Sequence, residues 1–273
     1  MSTVTTADWT IHYEEAGRGH PVILLHGSGP GATGKSNFSH NIDPLAKTFH
    51  VLAPDMPGWG ASDPCPAERL DHPAAVVQFM DALGIERAAV VGNSMGGVTA
   101  VRLAAEHPDR VSHLITMGAP ISLGPRLFGA AGPTEGLKAL VTAYATPTPE
   151  AFEKLVQIMV FDPAYATTEL CRARAEAAAQ RPEHLTNFLA GIPSGGPVRR
   201  FPTTEQLAGI AAPALLIHGR DDRVVHFENS LALLAAIPHS RLVLINRCGH
   251  WAMIEHAAEF NRLVIDFVER AAE

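Results

Sequence analysis

Continuous apolar runs punctuate the chain at residues 22–25, 51–53, 89–91, 114–117, 214–217 and 242–245. Each is bounded by turn residues, and none alternates with polar positions. That is the pattern of strands buried on both faces of a parallel sheet. Between them the spacing changes to the helical period, at residues 73–83, 95–106 and 260–270, with Gly84 placed to cap the first of these. Residues 9–15 alternate apolar and polar, which predicts an antiparallel edge strand. Strand and helix take turns, so the expected class is α/β with a mostly parallel, doubly wound sheet.

Between residues 121 and 206 that rhythm stops. No buried-strand run occurs there, and helical stretches at 152–161, 169–181 and 182–190 are separated by Pro and Gly. Thr148 before Pro149 reads as an N-cap with proline at the first helical position. Residues 193–201 read as a loop. So few strong apolar faces in this stretch suit packing against a larger domain better than independent folding. The expected division is a core in two parts, 1–120 and 207–273, with a helical lid over 121–206 inserted between consecutive sheet strands.

Composition narrows the class. The 273 residues include 23 glycines and 21 prolines without a period of three, and 47% are hydrophobic, so neither a disordered nor a collagen-like chain is expected. A net charge of −7 argues against a nucleic-acid partner. No apolar run approaches the ~18 residues of a membrane span, and no export signal is visible, so a cytoplasmic protein without a membrane partner is expected. Cys65, Cys171 and Cys248 are odd in number and widely spaced, which suits a reducing compartment better than a disulfide framework. The 14 histidines show no ligand spacing, so no metal and no cofactor are expected.

The chemistry starts at Gly92-Asn93-Ser94-Met95-Gly96-Gly97, which follows the 89–91 run and opens a helix. A GxSxG between strand and helix is a nucleophile elbow: the tight turn lifts the serine hydroxyl clear of the sheet. The backbone N–H of Met95 is then one oxyanion donor. The serine needs a base and an orienting acid, in the order Ser, Asp, His. Asp222 follows the 214–217 run, and His250 follows the 242–245 run. Asp222 is preferred over its neighbour Asp221 because the G-x-x-D-x-x-V pattern turns its carboxylate inward. The glycine-rich loop after residues 22–25 supplies the second oxyanion donor, assigned to the Ser28 N–H, with His26 bracing that loop. His256 reads as packing or surface.

The same loop holds a rival. Gly29-Pro30-Gly31-Ala32-Thr33-Gly34-Lys35-Ser36 matches the phosphate-binding pattern GxxxxGK[ST] after a strand, which on its own implies a nucleotide-binding module. Pro30 removes one amide from such a cradle, and no apolar run ends directly in an aspartate for the metal.

Taken together, these segments resemble the α/β-hydrolase superfamily from end to end. Asp55-Met56-Pro57-Gly58-Trp59-Gly60-Ala61-Ser62 is similar to a turn common in it. More narrowly, the chain resembles the meta-cleavage product hydrolases, the C–C bond hydrolases of aromatic catabolism. The carriers are His26-Gly27-Ser28-Gly29-Pro30-Gly31-Ala32, Ser36-Asn37-Phe38, the elbow, Gly219-Arg220-Asp221-Asp222-Arg223-Val224, Cys248-Gly249-His250-Trp251 and the tail from Glu255 to Leu263. Within 121–206, Arg172-Ala173-Arg174-Ala175-Glu176 and Arg181-Pro182-Glu183-His184-Leu185-Thr186-Asn187-Phe188 also match.

The resemblance implies a small anionic substrate, a 2-hydroxy-6-oxohexa-2,4-dienoate, ketonised and then cleaved through an acyl-enzyme on Ser94. It implies that Arg174 binds the carboxylate end, with Asn37, Asn93 and Trp251 around it. It places Met159 among the substrate contacts, where the family often has an aromatic lining the acyl pocket, and Phe201 roughly where the family has a lid-exit tryptophan; Met117-Gly118-Ala119-Pro120-Ile121 also departs from its pattern. An esterase acting on monoesters of aromatic acids would use the same triad and arginine, and stands as the alternative. Relatives of this kind are often homo-oligomers, which the resemblance extends to this chain.

Overall fold

All six apolar runs fold as strands of a single sheet. The structure, a computed structural model, describes residues 2–122, 128, 132–192 and 201–270. Among these the sheet has eight strands: β1 (Ser2–Thr5), β2 (Thr10–Ala16), β3 (Pro21–Leu25), β4 (His50–Pro54), β5 (Ala88–Asn93), β6 (Val111–Met117), β7 (Ala214–Gly219) and β8 (Ser240–Ile245). Their order is β1-β2-β4-β3-β5-β6-β7-β8. Only the β1–β2 and β2–β4 pairings are antiparallel; from β4 to β8 every pairing is parallel.

Helices connect the strands. α1 (Gly34–Phe38) and α2 (Ile42–Leu45) follow β3, α3 (His72–Ala82) follows β4, and α4 (Met95–Glu106) follows β5. Between β6 and β7 lie α5 (Glu135–Ala145), α6 (Pro149–Met159), α7 (Thr168–Ala179), α8 (Pro182–Gly191) and α9 (Thr204–Ala208). α10 (Glu228–Ala236) follows β7, and α11 (Ala252–Glu255) and α12 (Ala257–Arg270) follow β8. β5 and β6 are buried at every position, because helices cover both faces of the sheet centre. No helix among the described residues is long and apolar enough to cross a membrane.

Three expectations change. The alternating segment 9–15 is not an edge: β2 is bonded on both sides, and β1 is the outer strand. Ser2-Thr3-Val4-Thr5 carries one apolar residue, so no hydrophobic pattern announced it. β8 is apolar yet lies at the other edge, and Leu244 is 42% exposed there. Third, the segment between β6 and β7 contains a helix, α5, that the helical stretches read from the sequence omit. Its signals are Thr134, whose hydroxyl accepts from the Leu137 N–H, and apolar residues at 137, 140, 141 and 144. The N-cap at Thr148 forms as the Thr-Pro pair requires, its hydroxyl accepting from the Ala151 N–H. Of the loop expected at 193–201, all but Phe201 lies outside the described residues.

Candidate active site

The carboxyl ends of β3, β5, β7 and β8 converge on one side of the sheet, where open α/β folds build their sites. Ser94 sits between β5 and α4 with φ 55° and ψ −114°. A left-handed φ at a non-glycine residue costs ~1–3 kcal/mol and persists only when its surroundings enforce it. Here the Ser94 N–H donates to the Met117 carbonyl at 2.8 Å. The flanking glycines are steric necessities: a Cβ on Gly92 would strike the Gly96 carbonyl, and one on Gly96 the Leu25 carbonyl. Met95 opens α4, so its N–H belongs to the first turn, where helix amides lack intrahelical partners.

His250 is buried, with Nδ1 2.7 Å from Asp222 Oδ2. Its N–H donates to the Met159 carbonyl at 2.6 Å, and its own carbonyl accepts from Asn93 Nδ2 at 3.2 Å. With Nδ1 donating to the carboxylate, Nε2 is left as the basic nitrogen. Ser94 and His250 line the same cavity.

Asp222 is itself held by three donors, with a second imidazole close by. Oδ1 accepts the N–H groups of Val224 and Val225 at 2.7 and 2.9 Å, and Oδ2 receives His250 at 2.7 Å; His218 Nε2, hydrogen-bonded to the Val225 carbonyl at 2.8 Å, lies 3.2 Å from Oδ2. Burial opposes ionisation of Asp222, but His250 and His218 outweigh it and hold the carboxyl well below the usual range. Asp221 has a different environment: it accepts the Arg247 N–H and faces Arg220 at the surface.

The glycine-rich loop after β3 is braced by His26. Its Nδ1 lies 2.7 Å from the Gly27 carbonyl, and its Nε2 accepts the Met56 N–H at 2.9 Å. That pairing fixes the proton on Nδ1, and burial keeps the ring neutral by lowering its pKa. Ser28 lines the cavity, and its carbonyl accepts from the Tyr144 hydroxyl at 2.8 Å.

Arg174, on α7, lines the cavity with only 8% of its surface exposed. Its guanidinium carbon stands 4.6 Å from the Trp251 ring centroid, and its Nε has no hydrogen-bond partner. Among the described residues it forms no salt bridge. Burial lowers its pKa only to about 10, so it remains charged at neutral pH. Asn37 and Trp251 line the same space. Asn93 does too, but its amide is engaged by the Met117 and His250 carbonyls and by Asn37 Nδ2, so it ties strand ends together. Met159 joins Phe152, Leu155 and Val156 in an apolar wall. Phe201 is not brought to this wall; it is half-buried against the core. Its place was inferred across residues 193–200, where no sequence spacing constrains the path.

The phosphate-loop letters fold into something else. The Gly34 N–H at the start of α1 donates to Asp55 Oδ1 at 2.9 Å, and the Ser36 N–H to the Thr33 hydroxyl. Ser36 Oγ closes the capping box on the Thr33 N–H. Lys35 pairs with Glu14 at 3.4 Å on the surface. A carboxylate therefore occupies the place a phosphate would need, and it would repel one.

Sequence reasoning missed His218, Tyr144 and Glu255. Glu255 accepts the Gly249 and Phe161 N–H groups at 2.7 and 2.6 Å, joining the His250 loop to the segment after α6. His218 lies four residues before Asp222, a separation that no recognised motif assigns.

Comparison with known proteins agrees with this architecture. The model of the alpha/beta hydrolase family matches residues 22–263. A 2-hydroxy-6-oxo-6-phenylhexa-2,4-dienoate hydrolase of Comamonas testosteroni is 44% identical, over 99% of this chain and 95% of its own. A 2-hydroxy-6-oxononadienedioate/2-hydroxy-6-oxononatrienedioate hydrolase of Pseudomonas putida is 43% identical, over 96% and 92%. The crystal structure of a meta-cleavage product hydrolase from Pseudomonas fluorescens superimposes with a TM-score of 0.88, at 35% identity over 99% of this chain and 98% of the other.

Proposed function

The chain belongs to the alpha/beta hydrolase family, among the meta-cleavage product hydrolases, and from that premise we propose how it works. Its substrate is a 2-hydroxy-6-oxohexa-2,4-dienoate, and water cleaves the C–C bond beside the distal ketone. The products are a carboxylic acid and 2-hydroxypenta-2,4-dienoate. We take α5–α8 as the lid over the cavity and Ser94, Asp222 and His250 as the triad.

Cleaving a C–C bond leaves an electron pair that must be delocalised. Ketonisation of the dienol, with His250 moving the proton, gives a vinylogous keto acid able to accept that pair. Ser94 then adds to the distal carbonyl as His250 takes its proton. The tetrahedral oxyanion lies against the Ser28 and Met95 N–H groups, each such donor typically worth ~3–4 kcal/mol. Collapse expels the dienol fragment, which takes a proton from His250. Water, activated by the same imidazole, releases the acid from Ser94.

One observation carries the choice of substrate class. A buried guanidinium, with no acidic partner among the described residues and its Nε unpartnered, lines the nucleophile's own cavity. An unpaired buried charge costs several kcal/mol, and a bidentate carboxylate removes that cost. Three buried free thiols support a reducing compartment, and we place the enzyme in the cytoplasm.

The test is a spectrophotometric panel of ring-fission dienoates, phthalate monoesters and simple aryl esters. Loss of the coloured dienolate at the highest kcat/KM is the expected result. Turnover confined to the esters would replace C–C cleavage with ester hydrolysis.

A further inference from the structure

The lid helix α5 is fastened to the catalytic loops at both ends. At its start the Thr134 hydroxyl donates to the Val224 carbonyl at 2.8 Å, and the Gly136 N–H to the Arg223 carbonyl at 3.2 Å. These are the residues that follow Asp222, and Val224 gives its own N–H to that carboxylate. Near its end the Tyr144 hydroxyl donates to the Ser28 carbonyl at 2.8 Å and receives the Trp59 Nε1–H at 2.9 Å. The Tyr144 ring lies flat on Phe188 of α8. Eleven residues of helix, about 16 Å, thus span from the acid's loop to the oxyanion loop.

The second attachment bears on the oxyanion hole because peptide units are planar. Holding a carbonyl fixes the N–H of the same unit. His26 holds the Gly27 carbonyl, and so aims the Ser28 N–H. Tyr144 holds the next unit through the Ser28 carbonyl. The two peptides flanking the Ser28 α-carbon are therefore clamped from different sides, one by the core and one by the lid. Between Gly27 and Gly29 nothing intrinsic to the backbone would hold them.

We propose that Tyr144 is a positioning residue for the oxyanion hole, and that its bond to Ser28 makes the hole competent only when lid helix α5 is docked. The proposal rests on the assignment of the Ser28 N–H as an oxyanion donor. Burial keeps the Tyr144 hydroxyl protonated and therefore able to donate. The Trp59 indole, buried against Phe188 and His26, fills the hydroxyl's acceptor side and selects one direction for its proton.

The test is Tyr144→Phe, which retains the stack on Phe188 and removes only the hydroxyl. A neutral hydrogen bond of this kind corresponds to roughly a tenfold change in rate. We expect kcat to fall about tenfold on the dienoate and on p-nitrophenyl acetate alike, with KM within twofold. A trifluoromethyl ketone, which forms the oxyanion on Ser94, should weaken by the same factor. Dienoate affinity, measured in a Ser94→Ala background, should not change. Trp59→Phe keeps the Tyr144 hydroxyl and should show a smaller loss in the same direction, and it carries the test if Tyr144→Phe does not fold.

Unchanged kcat and ketone affinity in the variants would overturn the proposal, as would an equal loss of dienoate affinity in the Ser94→Ala background. Neither result touches the C–C hydrolase reading, which fails only if wild-type enzyme leaves the dienoates intact.

Discussion

Asp222 and Arg174 are both buried charges, one behind His250 and the other lining the cavity that His250 faces, and they are treated in opposite ways. Asp222 receives two backbone amides and the His250 imidazole, with the His218 ring 3.2 Å away. Arg174 has an aromatic face and apolar neighbours, with Nε unpartnered. The carboxylate is finished by the protein, so its contact with His250 exists before any substrate arrives. The guanidinium has no acidic partner among the described residues, and on the proposed reading a substrate carboxylate supplies one. On that reading one charge organises the chemistry and the other selects what undergoes it.

Four substitutions bear on that contrast. Ser94→Ala should have the largest effect, removing turnover by on the order of 10⁵–10⁶-fold on every substrate while circular dichroism stays native. Retained turnover would end the assignment of the nucleophile.

Asp222→Asn should cost about 10⁴-fold in kcat, because an amide can hold the imidazole in the wrong tautomer. It should also change acid stability. The folded-state pKa of Asp222 is depressed, so its contribution is complete above the unfolded value near 4 and is lost as pH falls below it. Wild-type unfolding free energy should therefore drop steeply below about pH 4, and Asp222→Asn should flatten that limb in denaturant titrations. Parallel limbs would show that the carboxylate is not stabilised as its three donors and the nearby imidazole require.

Arg174→Gln should separate the substrates. We expect roughly 10²–10³-fold loss of kcat/KM on a dienoate and less than threefold on p-nitrophenyl acetate, since only the former carries the carboxylate. Thermal stability should stay level or rise, because an uncompensated buried charge has been removed. Equal kinetic losses on both substrates would take Arg174 out of the carboxylate site.

His218→Gln should be the mildest, a few-fold in kcat at neutral pH. With the neighbouring imidazole removed, Asp222 stabilises the imidazolium of His250 more, so the acid limb of kcat/KM should move to higher pH. An unmoved limb would make the 3.2 Å contact between His218 and Asp222 a matter of packing alone.

How far the sequence foretold this molecule depends on the range of the determining interaction. The elbow was legible because strand, turn and helix are contiguous, and β5 runs into Ser94 and α4 within a few residues. The existence of the six apolar strands was equally local, whereas β1, with one apolar residue, left no such signal. Strand position was not local: nothing in residues 240–245 records that β8 lacks an outer neighbour. The phosphate-loop letters could be argued against but not explained from the sequence, because their meaning is set by Asp55, 21 residues away. Tyr144 lies 116 residues from Ser28, and no periodicity links the two. Arg174 was legible only by resemblance, since an arginine in an Arg-rich helix otherwise reads as surface.

The two-ended attachment of α5 has a consequence for redesign. Its terminal contacts go to backbone carbonyls of the catalytic loops, whereas Leu137 and Leu140, between them, line the cavity. The helix is thus a cassette with fixed fasteners and variable lettering. Exchanging residues 134–144 as a block between relatives, with the Thr and Tyr retained, should transfer acyl-group preference without disturbing the machinery beneath. Exchanging a longer stretch that moves either fastener should cost rate on all substrates, whatever the new wall would accept.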